Sequence, residues 1–205
     1  MLSYRYGRIF PVGKTITNKR ATRLVALEWA RYFAVTLRAH EQGGNNRGPL
    51  VDAIENADTL PGKGYAWCQS FQNACWRLAT GGRLVKKNGV YTIVGGNYLM
   101  GGTASVGLAC EKARQLGYVV KRPYRGDHFG LQLGSDSWPD HTGIVDRVLS
   151  LGPLGFLCRT IEGNTSNASI QEGDACAVKT RFLSKRTIFY RVPGLTLNPH
   201  LPPKG

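Results

Sequence analysis

The spacing of apolar residues changes along the chain, and this change restricts the fold. Up to about residue 117 the apolar side chains recur every three or four positions, as on one face of a helix. Beyond that point they alternate with polar ones, as in strands with one buried face. Helices followed by strands indicate an α+β fold, with helices packed on a small antiparallel β-sheet. The expected strands cover 129–133, 142–149, 156–161, 175–182 and 187–192.

The predicted helices lie in the first part of the chain. One is expected over 21–40, where apolar residues recur every four positions, namely Val25, Trp29, Phe33 and Leu37. Two further helices are expected over 69–80 and 105–116. The glycine- and tyrosine-rich stretch 83–102 contains one strand-like run, 90–94, and has no other assignment.

The formal net charge of +14 is concentrated at the two ends of the chain. Residues 1–40 contain eight Lys and Arg against one acidic residue, and 176–205 contain six against none. In the middle, 41–175, thirteen basic side chains nearly balance twelve acidic ones. Such basic ends favour an anionic partner, either nucleic acid, anionic lipid or the acidic polymers of a bacterial wall. The alternative is that these charges bind no partner and form a solvated surface that keeps the protein in solution.

The length and composition fit a single domain. A chain of 205 residues with 42% hydrophobic residues can bury one sizeable core. No run of about 20 apolar residues predicts a membrane span. The first eleven residues lack the apolar core of a secretory signal, so we expect synthesis in a cytoplasm without a signal peptide.

The cysteine content argues against disulfides and zinc. The chain has five cysteines and no Cys-x-x-Cys pair. An odd number cannot all pair within one chain, so neither a disulfide framework nor a zinc knuckle is expected. Cys75, Cys110 and Cys158 lie in apolar patterns and are expected to be small core residues. We expect no metal and no cofactor.

Cys68 differs from the other cysteines in its setting. It follows a turn-rich stretch and precedes the helical pattern that starts at Gln69. A thiol in the first turn of a helix lies at the positive end of the helix dipole, which favours the thiolate. His141, at the start of a predicted strand, and Glu162 or Asn164, at the end of the next, follow downstream. In that order they are the parts of a thiol nucleophile, its base and its orienter.

A simple strand register brings these residues together. If 150–155 is a hairpin loop, the paired residues have numbers that sum to 305. His141 then stands opposite Asn164, and Glu162, two positions away, shares its face and lies within reach. A slip of one residue would place His141 and Glu162 on opposite faces.

The motifs around these residues resemble the CHAP domain, the cysteine- and histidine-dependent amidohydrolase/peptidase family. The resemblance extends from about Glu41 to Val192. It rests on four motifs in order, which are Trp67-Cys68 before a helix, Gly126-Asp127 entering a strand, His141-x-Gly143-Ile144-Val145 and Glu162-Gly163-Asn164-Thr165. Upstream, Glu41 and the Asn46-Arg47-Gly48 run are similar to a segment that precedes the nucleophile in some CHAP-like amidases, many of them encoded by bacteriophages.

The resemblance implies a papain-like fold and a role for each matched residue. Cys68 would attack an amide carbonyl, His141 would take and return the proton, Glu162 would orient the imidazole and Asn164 would be a further polar group at the site. The substrate-binding candidates are Glu41, Asn46, Tyr65, Trp67 and Gln69; Tyr65 and Gln69 are also candidate donors to the oxyanion. Two positions depart from the family pattern, with Ala66 where proline is common and Gln69 where a small residue is usual.

The same resemblance implies the domain organisation. We expect a CHAP-like catalytic domain over 41–192. Residues 1–40 would be a basic segment and helix that belong to this core or pack on it, and 193–205 a flexible tail.

The expected function is cleavage of amide bonds in peptidoglycan, by an N-acetylmuramoyl-L-alanine amidase or a stem or cross-bridge endopeptidase. The chain would be a bacteriophage endolysin, made in the host cytoplasm and acting as a monomer on the bacterial cell wall. Its partners would be peptidoglycan and anionic wall polymers, and nucleic acid is not expected. Two alternatives stay open, a thiol acyltransferase or deamidase on the same scaffold, and a basic virion structural or nucleic-acid-binding protein with a vestigial site.

Overall fold

A computed structural model of the chain describes residues 2–5, 8–11, 19–60, 62–133, 138–165, 173–194 and 201–203. The α-helices are α1 (Lys19–Arg31), α2 (Pro49–Glu55), α3 (Cys68–Ala79) and α4 (Val106–Gln115). The strands are β1 (Leu2–Arg5), β2 (Arg8–Pro11), β3 (Arg83–Lys87), β4 (Val90–Val94), β5 (Val119–Val120), β6 (His128–Leu131), β7 (His141–Leu151), β8 (Gly155–Thr165), β9 (Ala175–Ser184) and β10 (Ile188–Tyr190). The tail predicted at 193–205 lies mostly outside the described residues.

A six-stranded antiparallel sheet forms the centre of the fold. Its strand order is β5-β10-β6-β7-β8-β9, and β1–β2 and β3–β4 form separate hairpins. The helices precede most of the sheet in the sequence, as predicted. The structure therefore confirms the mixed α+β class. No helix among the described residues is long and apolar enough to cross a membrane.

Helix α3 is the central helix, with every one of its residues buried. The ring of Phe71 meets that of Phe33 edge-on at 6.0 Å between centroids, which joins α3 to the segment that follows α1. On the sheet side, a Cβ added at Gly163 would lie 2.6 Å from Cβ of Phe71. The absence of a side chain at Gly163 therefore lets α3 lie directly on β8, with its first residue beside the sheet.

Helix α1 belongs to the same core. Val25, Ala26 and Leu27 are fully buried in the main apolar cluster. Asp127, fully buried before β6, forms ion pairs with Arg23 of α1 at 3.0 Å and with Arg191 after β10 at 2.7 Å. Helix α1 therefore contacts the sheet through apolar packing and through an ion pair.

The first predicted helix is shorter than expected. The α-helical part ends at Arg31 and continues as a π-helical turn over Tyr32–Thr36. Arg38 then takes a left-handed conformation with φ of 48°, which stops the helix before residue 40. The chain turns towards the sheet there, and His40 forms a bridge with Ala175 at the start of β9.

The unassigned stretch 83–102 contains the hairpin β3–β4. Asn88 and Gly89 connect its strands, with φ of 51° and 80°. Positive φ at both central residues is the geometry that an Asn-Gly turn prefers. Asn88-Gly89 was therefore a usable signal for a hairpin. Its turn lets the predicted strand 90–94 pair with β3.

Candidate active site

Cys68 is the first residue of α3, as the sequence predicted to within one residue. Its Sγ lies 3.8 Å from the carbonyl oxygen of Asp140, the residue before β7. Trp67, at the N-cap position, makes no side-chain hydrogen bond to the first turn. The thiol therefore lies at the positive end of the helix dipole. The Trp67 side chain does not occupy the backbone N–H groups of the first turn.

His141 joins Cys68 to Glu162. Its Nε2 lies 2.8 Å from Oε2 of Glu162, and the Cys68 side chain is near enough to affect its pKa. Burial by itself would lower the pKa of His141, but the interactions with Cys68 and Glu162 outweigh burial and raise it to about 9. The imidazole is therefore protonated at neutral pH, and an imidazolium beside a thiol favours the thiolate.

Glu162 is fully buried and accepts hydrogen bonds from three directions. Besides His141, these are Thr160 Oγ1 at 2.5 Å and Arg181, whose Nε and Nη2 each lie 2.6 Å from one carboxylate oxygen. Burial alone would raise the pKa of Glu162, but the hydrogen bonds from His141 and Arg181 lower it to about 2. The carboxylate is therefore ionised and held in one orientation.

Arg181 was missed by the sequence analysis. It lies on β9, and its side chain is mostly buried against Glu162. With Arg181 included, the row continues from the Cys68 thiol through three charges of alternating sign, the imidazolium of His141, the carboxylate of Glu162 and the guanidinium of Arg181. The position of the carboxylate between two cations makes burial of these charges tolerable, because an unpaired buried charge is strongly destabilising. The basic character of β9 was visible in the sequence, but its pairing with β8 was needed to single out this residue.

The register of β7 and β8 agrees with the prediction near the site and differs elsewhere. Ile144 pairs with Ile161 and Val145 with Thr160, so the expected sum of 305 holds there. The ladder between these strands does not continue to His141, which pairs with Leu131 of β6. The loop is 152–154, shorter than the predicted 150–155, and two register shifts on the loop side compensate for the difference. The prediction was wrong about the loop because bulges are not visible in the sequence pattern.

Asn164 does not stand opposite His141 in a strand pair. It lies in a bulge between Glu162 and Thr165 and has a left-handed φ of 51°. Its side chain is nearly buried and forms no hydrogen bond with a residue that the structure describes. Of the two candidate orienters, Glu162 is the one that contacts the imidazole.

Trp67 and Glu41 form a pair beside the nucleophile. Trp67 is fully buried, and its Nε1 donates a hydrogen bond to Oε1 of Glu41 at 3.1 Å. The backbone N–H of Glu41 bonds in turn to the carbonyl of Asp174, next to β9. Because Trp67 has no exposed surface, it is not available to a substrate, contrary to the expected binding role. The pair instead fixes the residue that precedes Cys68.

Tyr65 is engaged away from the thiol. Its hydroxyl lies 3.1 Å from Oδ1 of Asp58, and its backbone N–H, like that of Gly64, donates to Oε1 of Glu55. Asp58 also accepts a hydrogen bond from Ser70 of α3. Tyr65 therefore anchors the loop before Cys68, and its hydroxyl is not free to stabilise an oxyanion as the sequence suggested.

Neither Gln69 nor Asn46 presents an exposed side chain at the thiol, as a substrate-binding residue would. Gln69 is fully buried next to Cys68, and both atoms of its amide lack a hydrogen-bond partner among the described residues. Such an unsatisfied buried amide is costly, which makes Gln69 the remaining side-chain candidate for a polar contact near the thiol. Asn46 lies in the turn before α2 with a left-handed φ of 53°, a backbone role that its side-chain type suits.

A buried histidine lies behind α3. His128 is fully buried, its Nδ1 is 3.0 Å from Oε1 of Gln72, and its ring stacks on Tyr190 with 5.3 Å between centroids. Burial, with a smaller effect from Arg23, lowers the pKa of His128 to about 3. The ring is therefore neutral at ordinary pH and acts as a packing element beneath the nucleophile helix.

Comparison with protein-family models, with curated proteins and with solved structures finds no match. Among the described residues, no group of three or more His, Cys, Asp or Glu side chains has the arrangement of a metal site. All five cysteines are free and buried. The geometry of Cys68, His141, Glu162 and Arg181 and the motifs in the sequence are therefore what indicate the chemistry of the site.

Proposed function

We propose that this chain is a cysteine hydrolase that cleaves amide bonds in peptidoglycan. The observation that carries the proposal is the row formed by Cys68, His141 and Glu162, in which His141 is hydrogen-bonded to Glu162 and Cys68 lies in the first turn of a buried helix. Thiol, imidazole and carboxylate in this arrangement are the parts of nucleophilic acyl transfer. The helix carrying the nucleophile packs on an antiparallel sheet carrying the histidine, an arrangement that supports a papain-like fold.

The proposed mechanism uses the paired charges directly. The Cys68 thiolate adds to the amide carbonyl, and the imidazolium of His141 gives its proton to the leaving amine as the C–N bond breaks. Neutral His141 then takes a proton from water, whose oxygen attacks the thioester and releases the acid and the thiolate. Backbone N–H groups of the first turn of α3, including that of Cys68, meet the oxyanion, each worth roughly 3 kcal/mol or more of barrier. Glu162 keeps the imidazole in place throughout.

The substrate class is supported by the sequence motifs and by the charge. The four motifs that resemble CHAP domains occur in the family order and include each residue of the row except Arg181. The net charge of +14 suits a polyanionic wall. A bacteriophage lysin acting as a monomer fits these features.

Replacement of Cys68 tests the mechanism. Purified Cys68→Ala protein should clear a peptidoglycan suspension at least about 1,000-fold more slowly than the wild type, because the attacking atom is gone. Its thermal unfolding should stay close to that of the wild type. Cys110→Ala, another buried thiol, is the matched control and should retain turnover. Persistent turnover by the Cys68→Ala protein would exclude the proposed nucleophile.

Mass spectrometry of the released fragments identifies the bond that is cut. A free muramic lactyl carboxyl together with a new amino terminus at L-alanine indicates an amidase. New amino termini within the stem or cross-bridge peptide, with the lactyl group still substituted, indicate an endopeptidase. Products in which an added amine replaces water would instead assign acyl transfer to the same site.

A further inference from the structure

The end of the β7–β8 hairpin exposes large apolar side chains. Leu154, at its tip, is 75% exposed, and Leu151, the last residue of β7, is 64% exposed. Phe182 of β9 is 59% exposed and stands directly opposite Leu157 of β8. Exposed leucines are ordinary when scattered, but a group at one projecting end marks an interaction surface.

Cationic side chains surround this hairpin end. The backbone N–H of Lys185 bonds to the carbonyl of Leu154 at 3.1 Å, so the turn at 185–187 lies against the tip. A groove of about 800 Å³ lies there, and its lining includes Leu151, Phe156, Lys121 and Arg122. Lys185 and Arg186 also line it. No acidic residue among the described ones lines this groove or forms an ion pair with these four cations.

We propose that this end of the sheet, the hairpin-end surface formed by Leu151, Leu154, Lys121, Arg122, Lys185 and Arg186, docks on an anionic phospholipid bilayer. The two leucines enter the boundary between headgroups and acyl chains. The four cations contact lipid phosphates. Apolar insertion combined with attraction to an anionic leaflet is the general basis of peripheral membrane binding.

Other occupants satisfy only part of this surface. A phosphate polymer would pair with the cations but leave the leucines in water. Single-stranded nucleic acid needs several exposed aromatic faces for stacking. Phe156 and Phe189, the rings that line the groove, are buried edge-on against each other, and Phe182 is a single exposed ring. A second copy of the chain would bring a second set of cations against the first, which is repulsive.

The proposed docking surface is remote from the active site. Strand β7 has His141 at one end and Leu151 at the other, and at about 3.3 Å per residue this separates them by roughly 30 Å. A bilayer at one end therefore leaves Cys68 open to its own substrate. The proposal does not depend on the hydrolase mechanism, so each can fail without the other.

Vesicle binding tests the proposal. Full-length Cys68→Ala protein is mixed with phosphatidylcholine vesicles with and without phosphatidylglycerol, and the bound fraction is measured by sedimentation. We expect binding only to the anionic vesicles. The Leu151→Ser/Leu154→Ser variant should bind about tenfold or more weakly. The Lys185→Gln/Arg186→Gln variant should bind about 25-fold more weakly, at about fivefold per cation.

Matched variants control for general effects on the surface. Leu108→Ser removes a leucine of similar exposure on α4, and Lys86→Gln/Lys87→Gln removes two charges on β3; both should bind like the parent protein. Several results would overturn the proposal. These are equal binding to neutral vesicles, no loss in the leucine variant, stronger binding to DNA or polyglycerol phosphate than to vesicles, or a dimer in solution that the leucine substitutions dissociate.

Discussion

Arg181 determines how the carboxylate of the candidate triad is presented. A buried glutamate next to a histidine alone would share its negative charge with one partner and be free to rotate about its terminal torsion. The two hydrogen bonds of 2.6 Å from Arg181 fix the plane of the Glu162 carboxylate and favour its ionised form. Arg181 touches no reacting atom in the proposed mechanism, so it is a positioning residue that acts through Glu162.

Substitution of Arg181 should change the pH profile as well as the rate. In Arg181→Met the pKa of Glu162 rises towards its ordinary value, because a lowering partner is lost while burial remains. We expect kcat/KM to fall about ten- to a hundredfold and the acid limb of its pH profile to move to higher pH. Arg181→Lys keeps the positive charge but cannot donate two parallel hydrogen bonds to the carboxylate. It should therefore have a rate between those of the wild type and Arg181→Met.

A neighbouring ion pair provides the control for Arg181. Arg159 of β8 pairs with Asp146 of β7, outside the row of site residues. Arg159→Met should leave the acid limb in place. An Arg181→Met protein that folds, and whose profile changes only in height, would show that Arg181 has no influence on the ionisation of Glu162.

The contact between helix α3 and strand β8 decides where the nucleophile lies. The sequence predicted the start of α3 because a turn-rich stretch gives way to a helical pattern at Gln69. It could not predict the distance between this helix and the sheet, because Gly163 reads equally well as a flexible residue or as a point of close approach. Only the packed structure shows that a Cβ at Gly163 would meet Phe71.

Gly163→Ala should therefore destabilise the protein and displace the nucleophile. The added methyl group would lie 2.6 Å from Cβ and Cγ of Phe71, so α3 must move away from β8. Overpacking of this kind costs about 1–3 kcal/mol, measurable as a lower midpoint of urea unfolding. Gly152→Ala, where the new Cβ has no neighbour closer than 3.6 Å, is the control and should unfold like the wild type. Equal midpoints for the two variants would show that the helix tolerates the shift.

The β7–β8 pairing shows which parts of an element the sequence can predict. Alternation identified both strands and the face shared by His141 and Glu162. The bulges near Arg147 and Leu149 were not predictable, because the inserted residues have no compositional mark. The predicted loop was too long for the same reason that the predicted strands were too short.

At the scale of the whole molecule, the distribution of charge in space differs from its distribution along the chain. The sequence places the excess charge at the two ends and describes the middle as nearly neutral. Lys121 and Arg122 belong to that middle, yet they line the same groove as Lys185 and Arg186. The acidic residues that bring the net charge of 41–175 close to zero form ion pairs away from this groove, for example Asp127 with Arg191 and Glu162 with Arg181. A linear charge count cannot separate paired cations from clustered ones.

Three buried groups couple the stability of the whole fold to pH. The pKa of His141 is raised to about 9, so its contribution is complete below the unfolded value near 6.5 and is lost as the pH rises through 9. The pKa of Glu162 is lowered to about 2, so its contribution is present above about 4.5 and is lost as the pH falls towards 2. His128, with a pKa lowered to about 3, stays neutral in the fold while the unfolded chain binds a proton below about 6.5.

These signs place the maximum of the combined contribution of the three groups near pH 6.5. Below pH 6.5 the unfolded chain binds a proton at His128, whereas the native state does not. The free energy of unfolding therefore falls by about 1.4 kcal/mol per pH unit from this residue alone. In His128→Gln, which can still pair with Gln72, this slope should disappear between about pH 6.5 and 4.5. Urea unfolding at a series of pH values measures both proteins, with the exposed His40→Gln as control. The same slope in the His128→Gln and His40→Gln proteins would mean that His128 does not govern the acid side of the curve.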